Sequence, residues 1–215
     1  MASVIDICNI ALSRLGDEAN ISNIDPPEGG DHAEQCARWY PLSRDKALAA
    51  FPWTFATRTV ALAPLATKPI GHDYAFKIPN GCLKVIDAFD PTLVSVPKYD
   101  RSVYDYAQKA SDFEWSIELV DGTRCVVTDA ETVAIRYVMQ QTDTTMYPPS
   151  FTDALCWLLA SDLAGPCHTG ATGIQLAEKC YQAYMTVLEI AKQEDVRQQN
   201  PVFVVRPRMQ GDYHG

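Results

Sequence analysis

A glycine-containing segment near the carboxyl end has residue types that could bind phosphate. Residues 165–172 have the sequence Gly-Pro-Cys-His-Thr-Gly-Ala-Thr, which approaches the pattern GxxxxGK[ST]. In that pattern a strand leads into the loop and a lysine reaches the phosphates. Ala171 stands at the lysine position, and the segment follows a predicted helix. We therefore expect a connection between two helices and no nucleotide site.

Cys167 and His168, in the same segment, are of the types used in thiol catalysis. Sequence neighbours rarely point at one another, and a catalytic pair usually comes from separate segments. The histidines also lack HExxH or other metal-binding spacing. We predict no catalytic residue, no cofactor and no metal site. The four histidines are His32, His72, His168 and His214.

The first 35 residues are strongly acidic. They hold seven acids against the single base Arg14, and therefore carry −6 of the formal net charge of −9. The acids lack the ligand order of a calcium-binding loop, so we expect a solvated loop or a docking surface for a basic partner. A negative chain without clustered Lys and Arg is not a free-standing nucleic-acid binder. The acids are Asp6, Asp17, Glu18, Asp25, Glu28, Asp31 and Glu34.

Seven cysteines are spread along the chain without a CxxC pair or a repeated spacing. This pattern predicts reduced, buried thiols in a reducing compartment. The chain has no run of about 18 apolar residues, and acids occupy its first segment where a secretory signal would be basic. We expect neither secretion nor membrane insertion.

Two helices are predicted in the amino-terminal part of the chain. The first covers residues 3–15, where Ser3 and Asp6 match a capping box. A loop rich in Pro and Gly then leads to a second helix over residues 32–51. Pro41 interrupts this helix. Because proline removes a backbone donor and clashes with the preceding turn, we expect a kink or two shorter helices.

Two further helices are predicted in the carboxyl-terminal part. Ser150 and Asp153 match a second capping box, ahead of a broad apolar stripe. Asp162 interrupts that stripe, and we expect it to cap a helix or to make an inter-helix hydrogen bond. The last helix has the clearest periodicity and should pack along a partner helix. Its apolar positions are Ile174, Ala177, Tyr181, Tyr184, Leu188 and Ala191.

The middle of the chain predicts short strands separated by prolines. The clearest local element is a hairpin over residues 116–127, in which Asp121-Gly122 can supply the positive φ angles of a type I′ turn. The other alternating or β-rich runs cover residues 55–62, 83–89 and 132–139.

Helices at both ends around a β-rich middle predict an α+β protein. We expect residues 1–52 and 150–197 to form a helical bundle from the N- and C-terminal segments. Residues 53–149 would be an inserted antiparallel β-rich region. Residues 198–215 carry a short apolar run between prolines, and we expect an extended C-terminal arm.

Aromatic residues are frequent towards the end of the β-rich region. Such residues stack on bases or sugars, fill a core, or contact other proteins. Because few basic residues accompany them, we favour a core or a protein contact surface. They are Tyr99, Tyr104, Tyr106, Phe113 and Trp115.

Several short motifs occur in a set order along roughly residues 10–197. They are Ala11-Leu12-Ser13-Arg14-Leu15-Gly16, Pro52-Trp53-Thr54-Phe55-Ala56, Tyr74-Ala75-Phe76-Lys77-Ile78-Pro79, Val133-Ala134-Ile135-Arg136-Tyr137 and Phe151-Thr152-Asp153-Ala154-Leu155. In this order they resemble tail tubular protein A, the family of head-to-tail adaptors of short-tailed bacteriophages. The chain departs from the family's pattern at Pro41 and after Arg197.

The resemblance implies a non-enzymatic structural protein of the virion tail, assembled in the host cytoplasm. It implies a homo-oligomeric ring of twelve copies between the portal protein and the tail nozzle protein. DNA would pass through the axial channel without sequence-specific binding, and no membrane would be a partner. We expect the protein interfaces to include Val202, Phe203, Val204, Val205, Arg206, Arg208, Tyr99, Tyr104 and Trp115.

Two other functions remain open. A phage-associated cell-wall hydrolase would need a cleft with two suitably spaced carboxylates, and the sequence supplies no convincing pair. A small cytoplasmic binding module would hold a ligand or peptide in its aromatic region and stay monomeric. Oligomeric state separates both from a ring subunit.

Overall fold

The computed structural model describes residues 2–18, 21–28, 30–92 and 114–198. Within these ranges the chain forms four α-helices and three small antiparallel sheets, which confirms the predicted α+β class. None of the described helices is both long and apolar enough to cross a membrane. The helices are α1 (Val4–Arg14), α2 (Asp31–Ala49), α3 (Pro149–Cys167) and α4 (Ala171–Gln198).

The described strands form one two-stranded and two three-stranded sheets, with the orders β1-β2, β3-β8-β5 and β4-β7-β6. A single 3-10 turn, Thr144–Met146, precedes α3. The strands are β1 (Asn23–Ile24), β2 (Pro27–Glu28), β3 (Thr57–Leu62), β4 (Tyr74–Lys77), β5 (Cys82–Phe89), β6 (Trp115–Val120), β7 (Thr123–Thr128) and β8 (Val133–Met139).

Helix α1 begins at the predicted capping box. The Asp6 backbone N–H donates to Ser3 Oγ at 3.1 Å, and Asp6 Oδ2 accepts from the Ser3 backbone N–H at 2.8 Å. These two bonds satisfy donors that the first helical turn leaves free. Gly16, with a φ of +87°, ends the segment as predicted.

The predicted loop between α1 and α2 is more ordered than the sequence indicated. It contains the β1–β2 pair, in which Asn23 lies opposite Glu28. Asn9 of α1 fixes the start of this segment, because its side-chain amide exchanges two hydrogen bonds of 3.1 Å with the backbone of Ile21. An Asx-type side chain thus supplies the backbone partners that a solvated loop would take from water.

Helix α2 continues through Pro41, so the expected alternative of two shorter helices is wrong. Tyr40 before the proline and Ser43 after it are both buried. Proline costs about 3 kcal/mol in a helix interior, and burial of several apolar residues can offset that amount. Packing of α2 against α3 therefore maintains one helix.

Helix α3 contacts each of the other three helices. The second predicted capping box is wrong: Pro148 is the N-cap residue and makes no side-chain cap bond. Pro149 starts the helix, where its missing N–H costs nothing. Asp153 is bound elsewhere, because its side chain and carbonyl both accept from the Arg14 guanidinium of α1.

Helix α4 packs along α3, as predicted, but on a rotated face. Tyr184, Leu188 and Ala191 are buried as expected, whereas Ile174 and Tyr181 are exposed. The buried face instead includes Cys180 and Asp195. The contact with α3 thus follows one edge of the predicted apolar stripe and leaves the other edge in solvent.

The predicted hairpin is confirmed. Strands β6 and β7 pair antiparallel, and the two turn residues, Asp121 and Gly122, have φ angles of +49° and +73°. These angles are those of a type I′ turn, whose twist matches that of the flanking strands. Apolar side chains from both three-stranded sheets pack together in one cluster. The buried members of that cluster are Phe76, Ile78, Val85, Ala88, Val126, Val133, Ile135 and Tyr137.

An aromatic cluster, defined as Trp53, Phe55, Tyr147 and Phe151, joins the helices to the strands. Phe151 lies at its centre, with ring centroids 5.1 Å from Trp53, 4.9 Å from Phe55 and 5.0 Å from Tyr147. All three contacts have the edge-to-face geometry that aromatic quadrupoles favour. Trp53 Nε1 donates to the Ala47 carbonyl at 3.0 Å, so its polar group is also satisfied.

Candidate functional site

Most of the predicted interface residues lie outside the described residues. They are Val202, Phe203, Val204, Val205, Arg206, Arg208, Tyr99 and Tyr104. Trp115 is described: it begins β6, lies opposite Thr128 of β7, and packs half-buried against the cluster between the two sheets. Part of the Trp115 ring therefore packs in the core between the two sheets.

An exposed apolar row on α4 was not predicted as a surface. We call it the α4 stripe; its members are Ile174, Tyr181, Met185 and Val196, with exposed fractions of 71%, 44%, 43% and 52%. They are separated by 7, 4 and 11 residues, close to whole numbers of 3.6-residue turns, so they follow one side of the helix. The row borders the face buried against α3, and large exposed apolar rows often mark interaction sites.

Three polar side chains from distant segments converge at the carboxyl-terminal end of α3. We call Asp17, His32 and Cys167 the donor cluster, because one ligand-type atom from each lies within 4.8 Å of the others. Cys167 Sγ lies 3.5 Å from His32 Nδ1. His168 adjoins the cluster, with its Nε2 atom 3.5 Å from Asp17 Oδ2.

Helix ends place these residues. Asp17 follows Gly16 just beyond α1, and its backbone N–H donates to Leu12. His32 lies in the first turn of α2, and Cys167 is the last residue of α3. His168 caps α3 through its backbone N–H, which donates to the Ala164 carbonyl at 2.9 Å.

Gly173 lets α4 approach this site closely. A Cβ atom built there would lie 1.9 Å from the His168 carbonyl oxygen, a distance that no side chain tolerates. Gly170, with a φ of +76°, makes the turn between α3 and α4. The glycines of this segment thus serve a tight helix connection, as the sequence predicted, and they fix the position of His168.

The donor cluster is unsuited to thiol catalysis. Burial raises the pKa of Cys167 to about 11, and the nearby Asp17 carboxylate and Cys36 contribute in the same direction. The thiolate is the nucleophilic form of cysteine. With a pKa this high, only a small fraction of Cys167 is thiolate near pH 7. The absence of a catalytic pair at Cys167 and His168 stays a prediction.

Asp162, also singled out in the sequence, has two partners on α2. Asp162 accepts from Ser43 Oγ at 2.7 Å, which confirms the predicted inter-helix hydrogen bond. Lys46 lies 3.7 Å from the same carboxyl group. All seven cysteines are free thiols, and five are buried; Cys82 and Cys167 are half-buried.

Sequence reasoning missed the donor cluster because its signal is not local. Asp17, His32 and Cys167 share no motif, and 135 residues separate the last two. The nearest clue was the pair Cys167-His168 beside a helix connection, which brings two ligand-type residues to one helix end. A search of known protein families and of curated proteins finds no match to this chain.

Proposed function

We propose that this chain is a structural subunit of a head-to-tail adaptor ring in a short-tailed bacteriophage. The ring would join the portal to the tail nozzle around a DNA channel. The α4 stripe carries the proposal, because it places exposed apolar side chains along a helix about 40 Å long. Burial of such a row by another protein is favourable, because it removes apolar surface from water. In a ring the next subunit would bury it.

A closed ring needs a heterologous contact, in which one face of a subunit meets a different face of the next. We assign the first of these faces to a bundle formed by α1 to α4, with the α4 stripe at its centre. Twelve copies would close the ring. Two of the four stripe residues, Tyr181 and Met185, are of types that are enriched in interface cores.

The motifs that resemble the adaptor family support a shared architecture. Trp53, Phe151 and Leu155 are fully or almost fully buried in the helical core, and Phe76 and Ile135 are buried between the sheets. In proteins that share a fold, close packing restricts which residues can occupy such buried positions. The resemblance thus concerns residues that determine packing.

The net charge of −9 also suits a DNA channel. An acidic wall repels phosphate and lets DNA pass without adhesion. A ring structure with a strongly basic channel would contradict this part of the proposal. The segment Val202–Val205 would add a strand to a neighbouring subunit or to the portal, and a chain ending at Gln199 that assembles normally would contradict that part.

Native mass spectrometry of the purified full chain tests the main proposal. The chain would be measured alone and after mixing with the portal ring encoded in the same genome. We expect stoichiometric addition to the portal, in as many copies as the ring holds. A chain that remains monomeric and ignores the portal would overturn the adaptor proposal and favour a binding module.

A matched pair of substitutions on α4 tests the assigned face. Met185→Glu places a charge in the α4 stripe, whereas Ile190→Glu places it at a residue that is 51% exposed and about 140° away around the helix. We expect M185E to prevent completion of the ring on the portal and I190E to leave ring completion intact. Circular dichroism would verify that both fold. Equal assembly of the two variants would exclude the stripe as the contact.

A further inference from the structure

The donor cluster brings together three classes of metal ligand: a carboxylate, an imidazole and a thiol. Their donor atoms lie within 4.8 Å of one another, and each comes from a different segment of the chain. From this geometry we propose that Asp17, His32 and Cys167 bind one zinc ion, with His168 positioning the Asp17 carboxylate. The proposal is independent of the ring function and goes beyond it.

The separations agree with tetrahedral coordination. Zinc binds Cys sulfur at about 2.3 Å and His nitrogen at about 2.0–2.1 Å, so the sulfur and nitrogen of one tetrahedral site are about 3.5 Å apart. Cys167 Sγ and His32 Nδ1 are 3.5 Å apart. The two atoms, which are also within hydrogen-bond distance of each other, already have the separation that a shared ion requires, and the Asp17 ligand atom lies within 4.8 Å of both.

Two polar atoms at the site lack hydrogen bonds. Asp17 Oδ2 and His168 Nε2 are closed off from solvent, and neither has a hydrogen-bond partner among the described residues. A buried polar group without a partner costs free energy. A cation bound by the Asp17 carboxylate would supply the interaction that Asp17 Oδ2 lacks.

The ligand types select the metal. Calcium and magnesium prefer oxygen ligands alone, whereas a set containing thiolate and imidazole suits zinc. Binding requires the thiolate form, so the Cys167 proton would pass to solvent as the sulfur–zinc bond forms. Water would complete the coordination, since all three ligand residues are only half-buried.

His168 would act as a positioning residue. Histidine and carboxylate groups behind a metal ligand orient it and tune its affinity. The His168 imidazole faces Asp17 at 3.5 Å, and the close approach of α4 at Gly173 holds the backbone of His168 in place. The ion would connect the end of α1, the start of α2 and the end of α3.

Metal analysis of the full chain provides the first test. After exhaustive dialysis against a chelator, the chain would be titrated with Zn²⁺, and the bound metal measured per chain. We expect one tightly bound ion and a rise in the thermal unfolding midpoint on its addition. The absence of stoichiometric binding would overturn the proposal, as would a bound ion that leaves the unfolding midpoint unchanged.

Cobalt substitution identifies the ligands directly. Co²⁺ bound through Cys167 would show a thiolate-to-metal charge-transfer band together with the visible bands of a four-coordinate ion. We expect Cys167→Ser to abolish the charge-transfer band and Cys82→Ser, at a half-buried thiol outside the cluster, to retain it. A wild-type cobalt complex without that band would overturn the assignment, even if the C167S chain failed to fold.

A second matched pair tests the histidines. We expect His32→Asn to weaken zinc binding more than His168→Gln, for which a loss of about 10–100-fold fits a residue behind the ligands. H168Q should keep the charge-transfer band of the cobalt complex. A variant that bound metal weakly because it was unfolded would lose that band. His72→Asn serves as the control and should bind like the wild type. Equal affinities of H32N and H72N would overturn the site.

Discussion

The two ends of α3 differ in how their polar groups are satisfied. At its first turn, Phe151 lies within the aromatic cluster, where Tyr147 Oη donates to the Gln141 carbonyl at 2.5 Å. Asp195, only 3% exposed, accepts from the Thr54 hydroxyl at 2.7 Å nearby. At the last turn, Cys167 and His168 lie among polar atoms that include two without a hydrogen bond.

This contrast separates two ways of organising a buried region. The first end of α3 combines close aromatic packing with hydrogen bonds that the Trp53, Tyr147 and Asp195 side chains make to protein atoms. The carboxyl-terminal end of α3 holds ligand-type atoms that a metal ion could bind. Substitutions at the first end should therefore affect stability alone, whereas those at the last end should affect ligand binding as well.

The largest loss of stability is expected for Trp53→Ala. The substitution removes a fully buried ring from the aromatic cluster and should cost about 3–5 kcal/mol, which urea unfolding would measure. Leu42→Ala, at a side chain that is 60% exposed, serves as the control and should change little. A loss for W53A no larger than for L42A would show that the aromatic end is not the packing centre.

Asp195→Ala should rank second, at about 1.5–3 kcal/mol. The substitution removes the acceptor of the Thr54 backbone N–H and hydroxyl, which are bound at 3.1 and 2.7 Å. Glu194→Ala, at the exposed neighbouring position, should be close to neutral. Zinc affinity should be unchanged in D195A, and a clear decrease would contradict the separation of the two ends.

Gly173→Ala tests the other end of α3. The added methyl group would collide with the His168 carbonyl, so we expect a loss of about 1–3 kcal/mol from the forced shift. Gly165→Ala adds the same group where nothing lies within 4 Å, and should stabilise α3 by roughly 0.5–1 kcal/mol. We also expect weaker zinc binding in G173A alone, measured by competition with a chelator.

Tyr147→Phe should give the smallest effect at neutral pH, about 1 kcal/mol for the lost hydrogen bond. Burial raises the pKa of Tyr147 to about 12 in the folded chain, against about 10 when unfolded. The folded state thus keeps the phenol neutral where the unfolded state ionises it, and stability falls as pH rises from 10 to 12. This alkaline loss should be shallower in Y147F, and identical slopes would contradict the buried phenol.

Local signals predicted the elements whose geometry is determined by adjacent residues. The capping box of Ser3 and Asp6 and the turn at Asp121-Gly122 both follow from side chains acting on their own backbone. The equivalent signal at Ser150 failed because Pro149 starts the helix and Arg14, far away in sequence, binds Asp153. A motif is decisive only while no tertiary partner competes for the same atoms.

Features that depend on packing could not be predicted from periodicity. The apolar positions of α4 extend over more than one face, and only the position of α3 determines that Leu188 is buried while Ile174 is exposed. Likewise, Pro41 is tolerated because its helix is held by neighbours. The donor cluster is the extreme case, because its three residues meet only through the ends of three separate helices.

The division of the helical core between the two halves of the chain has a consequence for synthesis on the ribosome. Helix α2 ends at Ala49, and its packing partner α3 starts at Pro149. At 5–20 residues per second, the intervening roughly 100 residues take about 5–20 s to translate. During that interval the part of the apolar face of α2 that packs against α3 stays uncovered, and exposed apolar surface on a nascent chain is of the kind that chaperones bind.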